Sequence, residues 1–216
     1  MFLSRLVLNP YSNQAARDLV EPYEMHRTIL HAFGEVLPGD ERVLFRVDDA
    51  PQLDAPLVLV QSLHEPDWTF LSRERSRSYL HRLVSPNPAV KSFDPSIHPQ
   101  QVLRFRLRAN PTVKQRADDG RAVRRGIVNE GIQREWLARK AADSGFRVLA
   151  VEVSPEGKER GRIHRAAETH DLTLLAVRFD GLLQVTDVTR FQGVLRIGIG
   201  SAKGLGFGLL SVAPLA

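Results

Sequence analysis

The sequence predicts an α+β protein made of two tandem βαββαβ repeats with antiparallel sheets. Three observations predict it. The chain looks doubled: "RLVLNP" (Arg5 to Pro10) is echoed by "RLRANP" (Arg106 to Pro111), with Arg, Leu, Asn and Pro at matching places. Each echo ends a β-like alternation, closes on an Asn-Pro turn signal and is followed by a helical pattern. The stretch "SPNPAVKSFDPSIHP" (Ser85 to Pro99) carries four prolines and reads as a connector between the halves. The expected division is an N-terminal domain over 1–88, a linker over 89–100 and a C-terminal domain over 101–216. A chain of 216 residues accommodates two domains of roughly 100 residues.

In the first half, Phe2 to Leu8 reads as a strand. Pro22 opens a helix, because proline is favoured at the first helical position. "ERVLFRVDD" (Glu41 to Asp49) and "PLVLVQSL" (Pro56 to Leu63) are strands rich in Val and Leu. "PDWTFLSRERSRSYL" (Pro66 to Leu80) supplies a short helix and a fourth strand. In the second half "QVLRFRLRAN" (Gln101 to Asn110) is a strand. "IQREWLARKAADSG" (Ile132 to Gly145) is a helix stopped by its glycine. "FRVLAVEV" (Phe146 to Val153) and "LTLLAVRFD" (Leu172 to Asp180) are strands flanking a basic, hairpin-like segment. "LLQVTD" (Leu182 to Asp187) is a further strand candidate, "TRFQGVLRIG" (Thr189 to Gly198) is helical and "LLSVAPL" (Leu209 to Leu215) closes the chain as a strand. Each half approximates the ferredoxin-like plan, which also underlies RRM-like RNA-binding modules.

Composition narrows the class. Hydrophobic residues make up 43% and charged residues 25%, ordinary for a globular domain. No apolar run approaches the roughly 18 residues of a membrane span, so no membrane partner is expected. The N-terminal "MFLSRLVLNP" reads as a strand rather than a signal peptide. The absence of cysteine excludes disulfides and thiolate metal sites and fits a reducing, cytoplasmic location. The seven histidines show no H-E-x-x-H spacing, and there is no G-x-S-x-G motif. No metal or cofactor is expected. The net charge of +5 and pI near 10.0 suit an anionic partner, nucleic acid first, although many soluble proteins are mildly basic.

Four segments carry candidate chemistry. On a helical wheel, "EPYEMHRTILHAF" (Glu21 to Phe33) puts Met25, Ile29, Ala32, Phe33 and the following Val36 on a core-facing side. Tyr23, His26, Arg27 and Leu30 fall in a narrow arc opposite. An imidazole titrates near neutrality, a phenol one turn away can orient a reacting group, and a guanidinium can neutralise phosphate. The competing reading is a solvated helix surface. "LRFRLRAN" alternates strictly, so Arg104, Arg106 and Arg108 share one face and repel unless an anion sits against them. A phosphate backbone and an ordinary basic outer face are equally good explanations. "GKERGRIHR" places Lys158, Arg160, Arg162 and Arg165 on a hairpin that can track RNA phosphates or simply be solvated. "GIGSAKGLGFG" (Gly198 to Gly208) has five glycines around Ser201 and Lys203. It follows a helix and precedes a strand, so it is no dinucleotide fingerprint. It offers backbone that another chain can approach closely.

"LVLNP", "DLVEPYEMHRTILHAF", "VLVQSLHEPDW", "LRFRLRANPTVK" and "GIGSAKGLGFGLLSVAP" occur in this order. Together they resemble the CasE family, the repeat-processing endoribonucleases of type I-E CRISPR systems, over nearly the whole chain. The resemblance implies two ferredoxin-like domains that cut precursor CRISPR RNA at the base of a repeat hairpin without metal. The RNA's own 2′-hydroxyl attacks the adjacent phosphorus and leaves a 2′,3′-cyclic phosphate. His26 matches the family's catalytic histidine and Tyr23 its tyrosine partner. Arg27 is placed to stabilise phosphate charge, and His31 stands where a relative has lysine. Ser201 and Lys203 would face RNA, and the basic hairpin, Arg162 and Arg165 foremost, would grip the stem. The implied partners are precursor and mature CRISPR RNA and the other subunits of the Cascade surveillance complex. Two other classes fit the same basic surfaces: a non-cleaving subunit that holds a processed guide, and a ferredoxin-like protein with an incidental positive face.

Overall fold

The computed structural model describes residues 1–72, 78–116, 120, 122–165 and 168–215, with backbone alone at 122, 160–165 and 168–172. The chain divides into two compact units. The first comprises Met1–Pro95, Gly161–Asp171 and Lys203–Gly206; the second comprises Ser96–Arg160, Leu172–Ala202 and Phe207–Ala216.

In the first unit β1 (Phe2–Val7), α1 (Asn13–Val20), α2 (Pro22–Leu30), β2 (Leu44–Ala50), β3 (Ala55–Ser62) and β4 (Ala89–Ser92) follow in sequence. The sheet order is β2-β3-β1-β4, and all its pairings are antiparallel. Register is set by apolar alternation: Leu6 lies opposite Val58, and Phe45 opposite Val60. These side chains pack with Leu8, Met25, Ile29, Trp68 and Tyr79 into one buried core. Burial of side chains of this size contributes about 1.5–3 kcal/mol each.

Two helices stand where one was expected. Ser12 caps α1, its hydroxyl accepting from the Ala15 amide at 3.3 Å. Pro22 occupies the first turn of α2, as its fixed φ favours. The two helices are tied by a buried carboxylate. Asp18 accepts from Thr28 Oγ1 at 2.6 Å, from the Tyr79 hydroxyl at 3.1 Å and from Arg17 at 2.7 Å. Burial and this carboxylate together raise the Tyr79 hydroxyl's proton affinity far above its usual range.

Three expectations for this unit are corrected. The fourth strand is not in Pro66 to Leu80: a 3₁₀ turn occupies Thr69–Ser72, and Leu80 makes only an isolated bridge to Leu8. The strand lies at Ala89–Ser92, inside the expected linker, where it pairs with Phe2–Arg5. A four-residue ladder suffices there because β1 was already fixed by β3. Val36 is 84% exposed rather than core, because α2 ends at Leu30 and, after a 3₁₀ turn over His31–Phe33, Gly34 adopts φ +80°. Leu30 instead packs against the core.

The second unit contains β5 (Val102–Ala109), a separate hairpin of β6 (Thr112–Arg116) and β7 (Ala122–Gly126), α3 (Glu130–Asp143), the greater part of β8 (Phe146–Arg165) and of β9 (Glu168–Val185), α4 (Val188–Ile197) and β10 (Leu210–Pro214). Its main sheet has the order β10-β5-β9-β8. Counted within each repeat, both sheets run 4-1-3-2, the ferredoxin-like arrangement. The "RLVLNP" and "RLRANP" echoes fall on β1 and β5, the equivalent inner strands. Leu103, Phe105 and Leu107 are buried, and aromatic pairs Trp136–Phe179 (6.1 Å) and Phe146–Phe191 (5.6 Å) fill the core. The segment at Leu182 to Asp187 is no separate strand; its first four residues continue β9. No helix among the described residues is long and apolar enough to cross a membrane.

Candidate active site

The opening turn of α2 places Tyr23 and His26 three residues apart, hence on one face of the helix. Both are half-buried, whereas Arg27 and His31 are exposed. Met25, Thr28 and Ile29, buried on the other side, fix the helix's rotation and with it the direction in which His26 points.

The imidazole of His26 lies nearly parallel to the Phe45 ring on β2, with centroids 6.4 Å apart and planes inclined by 18°. The 3₁₀ turn Lys203–Leu205 of the glycine-rich loop packs beside it. A Cβ on Gly204 would stand 3.4 Å from Nε2, 3.5 Å from Cε1 and 3.7 Å from Cδ2, so the loop backbone covers the ring. Gly206 has φ +84°, and a Cβ there would press within 3.1 Å of Phe45. Gly206 is therefore explained by local geometry, a left-handed backbone passing close over Phe45, whereas a Cβ on Gly204 would reach only ordinary contact distance from His26. Nδ1 of His26 is buried with no hydrogen-bond partner among the described residues. Desolvation lowers the imidazole's proton affinity below its ordinary value, so the ring is neutral at neutral pH.

The remaining candidates are distributed as follows. Arg27 pairs with Glu24 at 3.1 Å across an exposed surface, a contact of small energetic weight. His31 tilts against Phe70 at 5.8 Å. Ser201 and Lys203 are half-buried in the glycine-rich loop. Lys158 is exposed on β8; Arg160, Arg162 and Arg165 lie on the same strand, but their side chains are outside the described residues.

The arginine ladder of β5 needs correction. Arg104 is exposed, as expected. Arg106 instead donates to Asp180 at 2.6 Å, and Arg108 is buried, donating to Glu156 at 2.7 Å and to Glu159. The repulsion seen in the sequence is relieved by carboxylates on β8 and β9, invisible until the strands are paired. Arg108's proton affinity, which burial alone would lower, is held above its usual range by Glu159 and Glu156.

The β6–β7 hairpin was missed. Its register places Lys114 directly opposite Arg124, with Arg116 on the same face and Arg125 on the other. All four are exposed and have no carboxylate partner among the described residues. Like charges directly opposite each other in a two-stranded ribbon are unfavourable without an anion. The signal was legible: two short runs, "TVKQR" and "AVRRG", each with valine and two cations, flank the turn signal "DDG". Among the described residues no group of three or more His, Asp or Glu is arranged to hold a metal.

The profile of the family described as CRISPR associated protein matches residues 1–214. The chain is 41% identical to the CRISPR-associated endoribonuclease Cse3 of Thermus thermophilus, covering 99% of this chain and 100% of that one. It is 27% identical to the CRISPR system Cascade subunit CasE of Escherichia coli, over 100% of both. The fold superposes with a TM-score of 0.80 on the structure of Thermus thermophilus Cse3 bound to an RNA representing a pre-cleavage complex, at 41% identity over 99% of this chain and 98% of that one. Sequence, fold and family profile agree over the full length, and the chain belongs to the CRISPR-associated protein family that includes these RNA-processing relatives.

Proposed function

We propose that this chain is an endoribonuclease that cuts precursor CRISPR RNA within the repeat, at the base of a hairpin, without metal. Its likeness to Cse3, an endoribonuclease solved with RNA, supports the reaction class. The observation that carries the mechanism is the half-buried imidazole of His26, its proton affinity lowered by burial, beside Phe45 and Gly204 and on the same helix face as Tyr23.

With Nδ1 buried, Nε2 is the nitrogen available to substrate. A neutral Nε2 accepts the proton of the ribose 2′-hydroxyl as its oxygen attacks the neighbouring phosphorus. The 2′-O–P bond forms and the P–O5′ bond breaks. One product ends in a 2′,3′-cyclic phosphate, the departing 5′-oxygen takes a proton from water to become a hydroxyl, and His26 returns its proton to the solvent. Tyr23 orients the reacting groups, and Arg27, Lys203 and, when protonated, His31 offset phosphate charge. RNA is gripped by Arg104, Lys158, Ser201 and the β6–β7 cations, with Arg160, Arg162 and Arg165 further along β8. The likeness to a Cascade subunit supports retention of the product in that complex.

The test is incubation of a repeat hairpin with wild type and His26→Ala in EDTA. Wild type cuts unimpaired by the chelator and His26→Ala loses at least roughly 100-fold in rate, the scale of positioned proton transfer. Binding without cutting identifies a guide-holding subunit instead.

A further inference from the structure

Arg108 sits in the strand expected to face RNA, yet its Nε, one terminal nitrogen and its guanidinium face are engaged internally. Its Nε donates to Glu156 at 2.7 Å and its NH2 group to Glu159. The guanidinium plane lies over Phe207, 4.5 Å from the ring centroid. Its backbone carbonyl accepts from the Gly208 amide at 2.7 Å, and Gly208 in turn accepts from Ile199 at 2.9 Å, closing the neck of the glycine-rich loop. Glu156 also meets Arg178 at 3.5 Å, so this carboxylate is held from both sides, and Arg178 in turn meets Asp180 at 2.9 Å.

A phosphate approaching this guanidinium would meet two carboxylates already seated on it. Lysine could supply the charge, but neither the planar fork nor the face that covers Phe207. Phe207 and Gly208 directly follow Lys203–Gly206, the segment whose Gly204 covers His26 and whose Gly206 fits Phe45.

We propose that Arg108 is a positioning residue rather than an RNA ligand: it fixes the end of the glycine-rich loop and thereby the loop's seat over His26. The proposal rests on His26 being the proton-transfer group argued above. It assigns Arg108 no contact with substrate.

The experiment compares wild type, Arg108→Lys and Phe207→Leu in two settings. In the RNA-free protein, hydrogen exchange over residues 203–208 is faster in both variants, and the His26 titration midpoint, followed by NMR, moves up toward 6.5 as the ring is rehydrated. With RNA, the affinity and the slope of log K against log salt stay at the wild-type values. The single-turnover cleavage rate at saturating RNA falls roughly 10- to 100-fold, the effect of a small misplacement of reacting groups. A slope shallower by about one in Arg108→Gln, which removes the charge that lysine keeps, or unchanged loop exchange in Arg108→Lys overturns the proposal. If wild type itself does not cut, the nuclease reading fails, while exchange and salt slope still decide the role of Arg108.

Discussion

His26 carries most of the chemistry argued for this chain, and its environment makes specific demands. Its proton affinity is lowered by burial, so its NMR titration midpoint is expected below 6.5 in the free protein. The sign of the stability effect follows. The unfolded chain takes up a proton near pH 6.5, and folded His26 takes it only at lower pH. Stability is therefore undiminished above pH 6.5 and falls as pH drops through and below it. Urea denaturation across pH 5 to 7 should show wild type losing stability more steeply than His26→Ala; parallel curves would contradict the burial argument. Tyr23, His26 and Arg27 were legible as a cluster because helical periodicity alone brings them together. Phe45 and Gly204, which hold the imidazole, were not, because their proximity depends on a strand and a loop distant in sequence. Arg108 misled for the same reason: its alternation with Arg106 and Arg104 was plain, while its carboxylates lie 48 and 51 residues away.

At the scale of elements, the α1–α2 pair positions the site through one buried carboxylate. Removing it in Asp18→Ala leaves the Tyr79 and Thr28 hydroxyls and Arg17 without that partner. The expected cost is about 3 kcal/mol, read from the urea midpoint, with loss of cleavage only where the variant unfolds. The β6–β7 hairpin makes a different prediction. Lys114→Ala/Arg124→Ala removes one like-charged pair from an exposed ribbon, so folding is unaffected. RNA affinity weakens, and the salt slope becomes shallower by roughly 1–2. An unchanged slope in filter-binding titrations would take the hairpin out of the interface. β5 and the β8–β9 pair could be read from their β-like apolar patterns, and α3 from its length and the glycine that follows it. α1 and β4 could not. α1 has only eight residues, and β4 only four beside prolines, so each depends on partners in β1 or α2 more than on its own pattern.

For the whole molecule, two 4-1-3-2 sheets from one repeated plan place the helix that carries Tyr23 and His26 in one repeat and a basic ribbon with a long hairpin in the other. The duplication was visible in a six-residue echo because each copy ends the inner strand that organises its sheet. A net charge of +5 distributed over separate basic elements predicts RNA binding that weakens steeply with salt. The central claim is that the RNA's own 2′-hydroxyl, deprotonated at His26, cuts the strand. Mass spectrometry of the ends produced from a repeat hairpin tests it most directly. The account predicts a 2′,3′-cyclic phosphate on the upstream fragment and a 5′-hydroxyl on the downstream one, formed in EDTA and absent with His26→Ala. A 3′-hydroxyl paired with a 5′-phosphate would contradict it, as would identical ends formed at full rate by the variant.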